Sequence, residues 1–312
     1  MLGEYSWIEI SVFGSVVAIA FLVDLFAHRS EQAISLKNAA GWSAVWIIVS
    51  LGFAIFIGLT HSWEHSSLYL TGYLLEKSLS VDNLFVFLAI FSSFSVRDKY
   101  QHRVLCYGII GAVILRLIFV TIGASLIAVL GDWALIVFGF FVLWSALKMW
   151  RKSLNPDEEI VDFTHHWAVK LTHKFIPVAS TLDGCHFFTL VDGHRRITPL
   201  FLCLVTMEVT DIMFAFDSIP AIIAITQETF LIYTSNIFAI LGLRSMYFLL
   251  AAASRYLRQL EKAVIIVLVF IGLKMLSQVV GDFHISPLAS LTVVAGILTA
   301  GILTSLFSPE KK

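Results

Sequence analysis

Two apolar stretches of this chain carry carboxylates at the same spacing. Glu76-Lys77-Ser78-Leu79-Ser80-Val81-Asp82-Asn83 holds two acids six positions apart, followed by an amide. Asp211-Ile212-Met213-Phe214-Ala215-Phe216-Asp217-Ser218 repeats the pattern, with Glu208 one turn earlier. A lone charge in apolar surroundings is costly, so such acids must protonate, pair with a base or hold a cation. Carboxylate, amide and hydroxyl oxygens, without Cys or His, are the donors that hard ions such as Mn²⁺, Ca²⁺ or Mg²⁺ prefer. Metal binding also drives protons off acids, so the same set suits exchange of a divalent ion for protons. The candidate ligands are Glu76, Asp82, Asn83, Glu208, Asp211, Asp217 and Ser218. Arg116 and Arg244, deep in other apolar runs, are the candidate counter-charges when no metal is bound. Lys77 and Lys274 are assigned to the same role, although Lys148 and Lys274 also lie near helix ends where a lysine can snorkel. Buried salt bridges that merely fix helix packing are the competing reading.

The elements that hold these residues must be membrane helices. The chain has 312 residues, 58% hydrophobic and 14% charged, with mean hydropathy +0.88. A soluble domain carries about 25% charged residues, so most of this surface must meet lipid. Runs long enough to cross ~30 Å of hydrocarbon lie at Trp7–Ala27, Gly41–Leu59, Leu68–Phe94, Val104–Leu130, Trp133–Trp150, Pro199–Thr226, Phe230–Ser254, Ala263–Gly281 and Pro287–Phe307. The expectation is an all-α polytopic membrane protein of about nine transmembrane helices. Residues 1–150 hold spans one to five, 151–198 form a cytoplasmic loop and 199–312 hold spans six to nine. Three cysteines at unrelated spacings suggest no disulfide framework. The first run is long enough to span and lacks a basic flank, so it reads as a span rather than a cleaved leader.

Lys and Arg fall on alternate loops. Arg29 and Lys37, Arg97 to Arg103, Arg151 to Arg196, Arg255 to Lys262, and Lys311-Lys312 lie on one side, while the loops at Glu64, Asp132, Glu228 and Asp282 have none. The positive-inside rule then places the N-terminus outside and the C-terminus in the cytoplasm. Spans three to five also resemble spans six to eight. The order acid, acid, Arg, Lys recurs as Glu76, Asp82, Arg116, Lys148 and as Asp211, Asp217, Arg244, Lys274. Span three runs inward and span six outward, so the repeat is inverted, a common transporter architecture with its site at the repeat interface.

Helix geometry constrains the acids further. A spacing of six turns a side chain by about 240°, so neither acid pair shares a face, whereas Glu76, Ser80 and Asn83 do. Either the acids serve two sites or the helices break between them. Pro220 favours a break in span six that would free the Phe216 carbonyl. Elsewhere, His61-Ser62-Trp63-Glu64-His65 matches the H-x-x-E-H form of a zinc hydrolase, in a short outer loop with no evident third ligand. Membrane hydrolysis through His61, Glu64 and His65 is therefore a minor alternative. The loop from Arg151 to Thr198 reads as a packed linker, with a hairpin turn at Asp192-Gly193.

These motifs resemble those of the TerC family of bacterial membrane proteins, and of its Alx-like branch. The likeness rests on Glu76 to Asn83 and on Glu208 to Ile219 followed by Pro220-Ala221. It extends through Leu70-Thr71-Gly72-Tyr73, Thr198-Pro199, Thr234-Ser235-Asn236 and Arg244-Ser245-Met246-Tyr247-Phe248. The resemblance implies a multi-pass protein of the bacterial inner membrane that exports Mn²⁺, with Glu76, Asp82, Asp211 and Asp217 as ligands. Mn²⁺ and protons are the expected substrates and the lipid bilayer the expected surroundings; no organic cofactor and no nucleic-acid partner are expected. A membrane partner that senses or delivers metal without net transport is the alternative.

Overall fold

The structure is a computed structural model that describes residues 5–27, 36–154, 163–179, 181–191, 193–253, 258–280 and 285–307; of Asp82 and Asp217 it describes the backbone alone. Each expected apolar run falls on a helix. These are α1 (Trp7–Ala27), α2 (Leu36–Thr60), α3 (Trp63–Ser93), α4 (Asp98–Leu130), α5 (Asp132–Leu154), α7 (Pro199–Ile223), α10 (Arg258–Val280) and α11 (Pro287–Phe307). The run from Phe230 is divided into α8 (Thr229–Ile240) and α9 (Leu243–Ala253). The protein is an all-α membrane protein. Among the described residues, five helices are long and apolar enough to cross a bilayer, or six if α8 and α9 form one bent span. α3 falls outside that number although it has 31 residues. Glu76, Lys77 and Asp82 lie together at its middle, so its apolar content is interrupted where a simple span would be purest.

The helix starts follow local rules. The Ser62 side chain accepts a hydrogen bond from the His65 N–H and caps α3. Pro199 opens α7, where its missing N–H would have had no helical partner. α3 packs against α8, α7 and α2, while α4 packs against α7 and α8. α5 lies along α10. That seam is close because Gly139 and Gly272 face each other across it. A Cβ on either would stand 2.9 or 2.8 Å from a leucine of the opposite helix, Leu276 or Leu143.

The helix break lies elsewhere than expected. α7 runs unbroken through Pro220, which stands only three residues from its last residue, Ile223. The bond that Pro220 cannot donate is one near the frayed end, and Ala224 N still donates to Pro220 O at 3.0 Å. α3 is also continuous. The break occurs instead in the run from Phe230, where α8 and α9 meet at 44°. Leu241 closes α8 and Gly242 adopts φ +80°, the left-handed conformation that ends helices and favours glycine. Trp46 of α2 fills the space beside it.

Between α5 and α7, the described residues form small elements of their own. After a 3-10 turn at Phe163–His165 come α6 (Trp167–Phe175), β1 (Phe188–Val191) and β2 (His194–Ile197). The hairpin forms with Phe188 opposite Ile197, and Gly193 takes φ +77° at its turn. Asp192 of the expected turn lies outside the described residues.

Gly242→Ala is expected to lower the thermal midpoint of the purified protein by several degrees. The left-handed backbone costs a residue with a Cβ about 1–2 kcal/mol, and that Cβ would stand 2.4 Å from Trp46 Cδ1. An unchanged midpoint would show that the break does not depend on this glycine.

Candidate functional site

Four helices converge on one guanidinium. Arg116 of α4 is 2% exposed, and Glu76 of α3, against which it forms an ion pair, is 0% exposed. Arg116 Nη2 also lies 3.7 Å from Asp211 Oδ1 of α7. Its Nη1 donates to Asn236 Oδ1 of α8 at 3.0 Å. An arginine suits this position because its planar fork can address several acceptors at once and stays charged. Among the described residues, two buried acids face this one cation. Asp211 Oδ2 and Glu208 Oε2 are buried without a hydrogen-bond partner. Buried acceptors of this kind are costly to leave unmatched by a donor or a cation.

Glu208 stands three positions before Asp211, on the same side of α7. Its carboxyl group lies against Gly111 of α4, where a Cβ would meet all three carboxyl atoms at 2.2–2.4 Å. The glycine thus leaves a notch for an acid between closely packed helices. Asn83 and Ser218 are buried on α3 and α7, and so is Ser80, which shares a face with Glu76. The Oγ atoms of Ser80 and Ser218 have no hydrogen-bond partner. The side chains of Asp82 and Asp217 lie outside the described residues. Because α3 and α7 are unbroken, each of these acids lies about 9 Å along its helix from the first, and about 240° around it. α7 does not break at Pro220, which corrects that expectation; the Phe216 carbonyl nevertheless lacks its helical donor, because Pro220 has no N–H.

The four candidate counter-charges divide. Arg116 stands against the acids Glu76 and Asp211. Lys77 does not: its Nζ donates to the carbonyls of Ala239 and Leu241, at 3.1 and 3.3 Å. These carbonyls belong to the C-terminal end of α8, where orphaned acceptors and the helix dipole both attract a cation. Lys77 therefore seals the helix break. Arg244 is buried on α9 just beyond that break, and Lys274 is buried on α10. Lys148, the expected counterpart of Lys274, is exposed and lies over Trp144 at 5.6 Å.

Asn236 was not among the candidate ligands. It sits in Thr234-Ser235-Asn236, three consecutive polar residues inside an apolar run, and all three are buried. That interruption was the available signal.

The histidines of the H-x-x-E-H motif do different work from a zinc site. His61 Nδ1 pairs with Glu9 of α1 at 3.0 Å, and His65 Nε2 pairs with Glu228, the N-cap of α8, at 3.2 Å. Tyr5 donates to Glu228 and stacks on His61. Glu64 is exposed. The two rings thus tie three chain segments together. Among the described residues, no three His, Cys, Asp or Glu side chains stand arranged to hold a metal ion. In the central cluster, the Arg116 guanidinium stands between the acids Glu76 and Asp211.

Arg116→Ala is expected to destabilise the protein by about 3–5 kcal/mol, because it leaves Glu76 buried without a counter-charge. Arg116→Ala combined with Glu76→Gln should lose less than Arg116→Ala alone, read from unfolding midpoints. A simple sum of the two single losses would show that the pair is not coupled.

Residues 61–312 match the profile described as "Integral membrane protein TerC family". The "Tellurium resistance protein TerC" of Serratia marcescens is 45% identical over 326 residues, covering 96% of this chain and 94% of that protein. The "Putative membrane-bound redox modulator Alx" of Escherichia coli (strain K12) is 43% identical over 296 residues, covering 92% of this chain and 90% of that protein. No solved structure matches the chain. With its motif helices inside the matched region and relatives of both names aligned over nearly its whole length, the chain belongs to the TerC family of integral membrane proteins.

Proposed function

We propose that the protein is a divalent metal transporter of the bacterial inner membrane that exports Mn²⁺ in exchange for protons. One observation carries this reading: the Arg116 guanidinium lies between buried acids from both motif helices, Glu76 and Asp211. A fixed pair would need one acid for one base. Here, among the described residues, two acids meet one base and a third, Glu208, stands one turn away, so acids outnumber bases in this cluster. A divalent cation would correct that deficit, and the oxygen-only donors suit Mn²⁺ better than a soft metal. Arg116 would then hold the acids together between cargo ions, and proton uptake would release the cargo. An acidic centre repels an oxyanion, so tellurite is a poor candidate cargo despite the name of the Serratia relative.

The inverted repeat and the nine-span topology belong to the same reading. Exchanging α3 with α7, and α4 with α8, turns the α3–α8 contact into the α7–α4 contact, and both are present. The α5–α10 contact maps onto itself. A discontinuous helix at the centre is also a recurring transporter feature. Since α3 and α7 are unbroken, this reading gives Asp82 and Asp217 a second position along the path. Under this topology α7 starts in the cytoplasm, so cargo would reach Glu208 before Asp211. A metal-delivering partner would bind the ion at the same acids without moving it across.

Purified protein in proteoliposomes should carry Mn²⁺ when a pH gradient is imposed. Glu76→Gln, Asp211→Asn, Asp82→Asn and Asp217→Asn should each cut the flux by tenfold or more, a loss of about 1.4 kcal/mol or greater. His61→Ala should leave it nearly unchanged. Mn²⁺ binding without flux would favour the delivery role. Flux indifferent to all four acid substitutions would overturn the site.

A further inference from the structure

We infer that α6 lies on the bilayer surface at the end where α7 begins, with anionic lipid headgroups covering its outer face. The inference is independent of the transport reading. Trp167, Leu171 and Phe175 are 57%, 50% and 73% exposed on a helix of nine residues. Their spacing of four places all three within an arc of about 80°. Ala168 and Val169 are buried on the arc that follows and hold α6 against α7. On the opposite flank come Lys174 and Lys170, about 20° and 60° before Trp167. Exposed His173 lies farther round still. Around the helix the order is therefore protein, apolar, basic, water.

That order is the one a surface-lying membrane helix requires. Its apolar arc enters the boundary between headgroups and acyl chains, tryptophan sits at headgroup level, and lysines beside the arc meet phosphates. The position agrees. Val169 packs in one cluster with Ile197 and Leu202. Leu202 is in the first turn of α7, whose apolar run starts at Pro199. The apolar arc of α6 is thus beside the edge of the hydrocarbon that α7 crosses. The neighbouring hairpin has the same character. Phe188 and Leu190, alternate residues on one face of β1, are exposed, and exposed Arg195 lies opposite Leu190. A second copy of the chain is a poorer occupant, because two such faces would set lysines against lysines. Anionic lipid supplies both the apolar depth and the opposite charge.

The test uses the full chain in lipid nanodiscs, with Cys106, Cys185 and Cys203 replaced and an environment-sensitive fluorophore attached through Leu171→Cys or, as the water-facing control, His173→Cys. Brominated acyl chains should quench the Leu171 label several-fold more than the His173 label. The difference should be larger with phosphatidylglycerol than with phosphatidylcholine, and Lys170→Gln with Lys174→Gln should remove that dependence on lipid charge. Trp167→Cys replaces Leu171→Cys if the latter fails to fold. Equal access of iodide to both labels would show a bare face and overturn the proposal. A Leu171 label shielded from iodide yet untouched by brominated chains would show a covering protein or second copy, and would overturn it too.

Discussion

A guanidinium inside a bilayer has few acceptable neighbours. It cannot lose its charge, and burying that charge is tolerable only beside acids and hydrogen-bond acceptors. Arg116 meets this constraint with Glu76, Asp211 and Asn236, which come from three different helices. The constraint therefore acts on the whole bundle. α3, α4, α7 and α8 must bring these side chains to one point, and Gly111 must leave room for Glu208 beside them. Such a cluster adds little stability relative to an apolar core of the same shape. What it does supply is one point at which four helices are held together.

The broken helix serves the same point. α8 carries Asn236 to Arg116, and it ends a turn later at Leu241. Ending a helix inside the apolar region exposes carbonyls that lipid cannot satisfy. Lys77 donates to two of them from α3, one position after Glu76. Adjacent residues on one helix thus face two different demands. Glu76 meets the guanidinium, and Lys77 meets the helix end. At the other end of α8, Glu228 is held by His65 and Tyr5. Both ends of this short helix are consequently tied to α3 or to its first turn, which fixes Asn236 between them.

Much of this was legible in the residues. The apolar runs marked the helices because lipid demands ~20 apolar residues per crossing, and the runs at Trp7–Ala27 and Pro287–Phe307 coincide with α1 and α11. The acids and arginines drew attention because charge in such runs needs a reason. Gly193 placed the hairpin because its left-handed backbone suits a two-residue turn. The site was less legible. Pro220 suggested a break that does not occur, since a proline near a helix end removes a bond that fraying already weakens. Gly242 was the residue that mattered: its left-handed backbone follows the end of α8, beside Trp46 of α2.

Composition and spacing by themselves determined that this is a helical membrane protein with two matching acid-bearing helices. They could do so because solvent preference and helical period are local properties, written along the chain. Which acid meets which base was decided only by the tertiary structure. Arg116 and Arg244 occupy equivalent places in the sequence pattern, as do Lys148 and Lys274, and yet Lys148 is exposed and Lys274 buried. Lys77 resembles a partner for an acid until α8 is seen to end beside it. Long-range pairing depends on how helices cross and where they stop, and single residues do not carry that information.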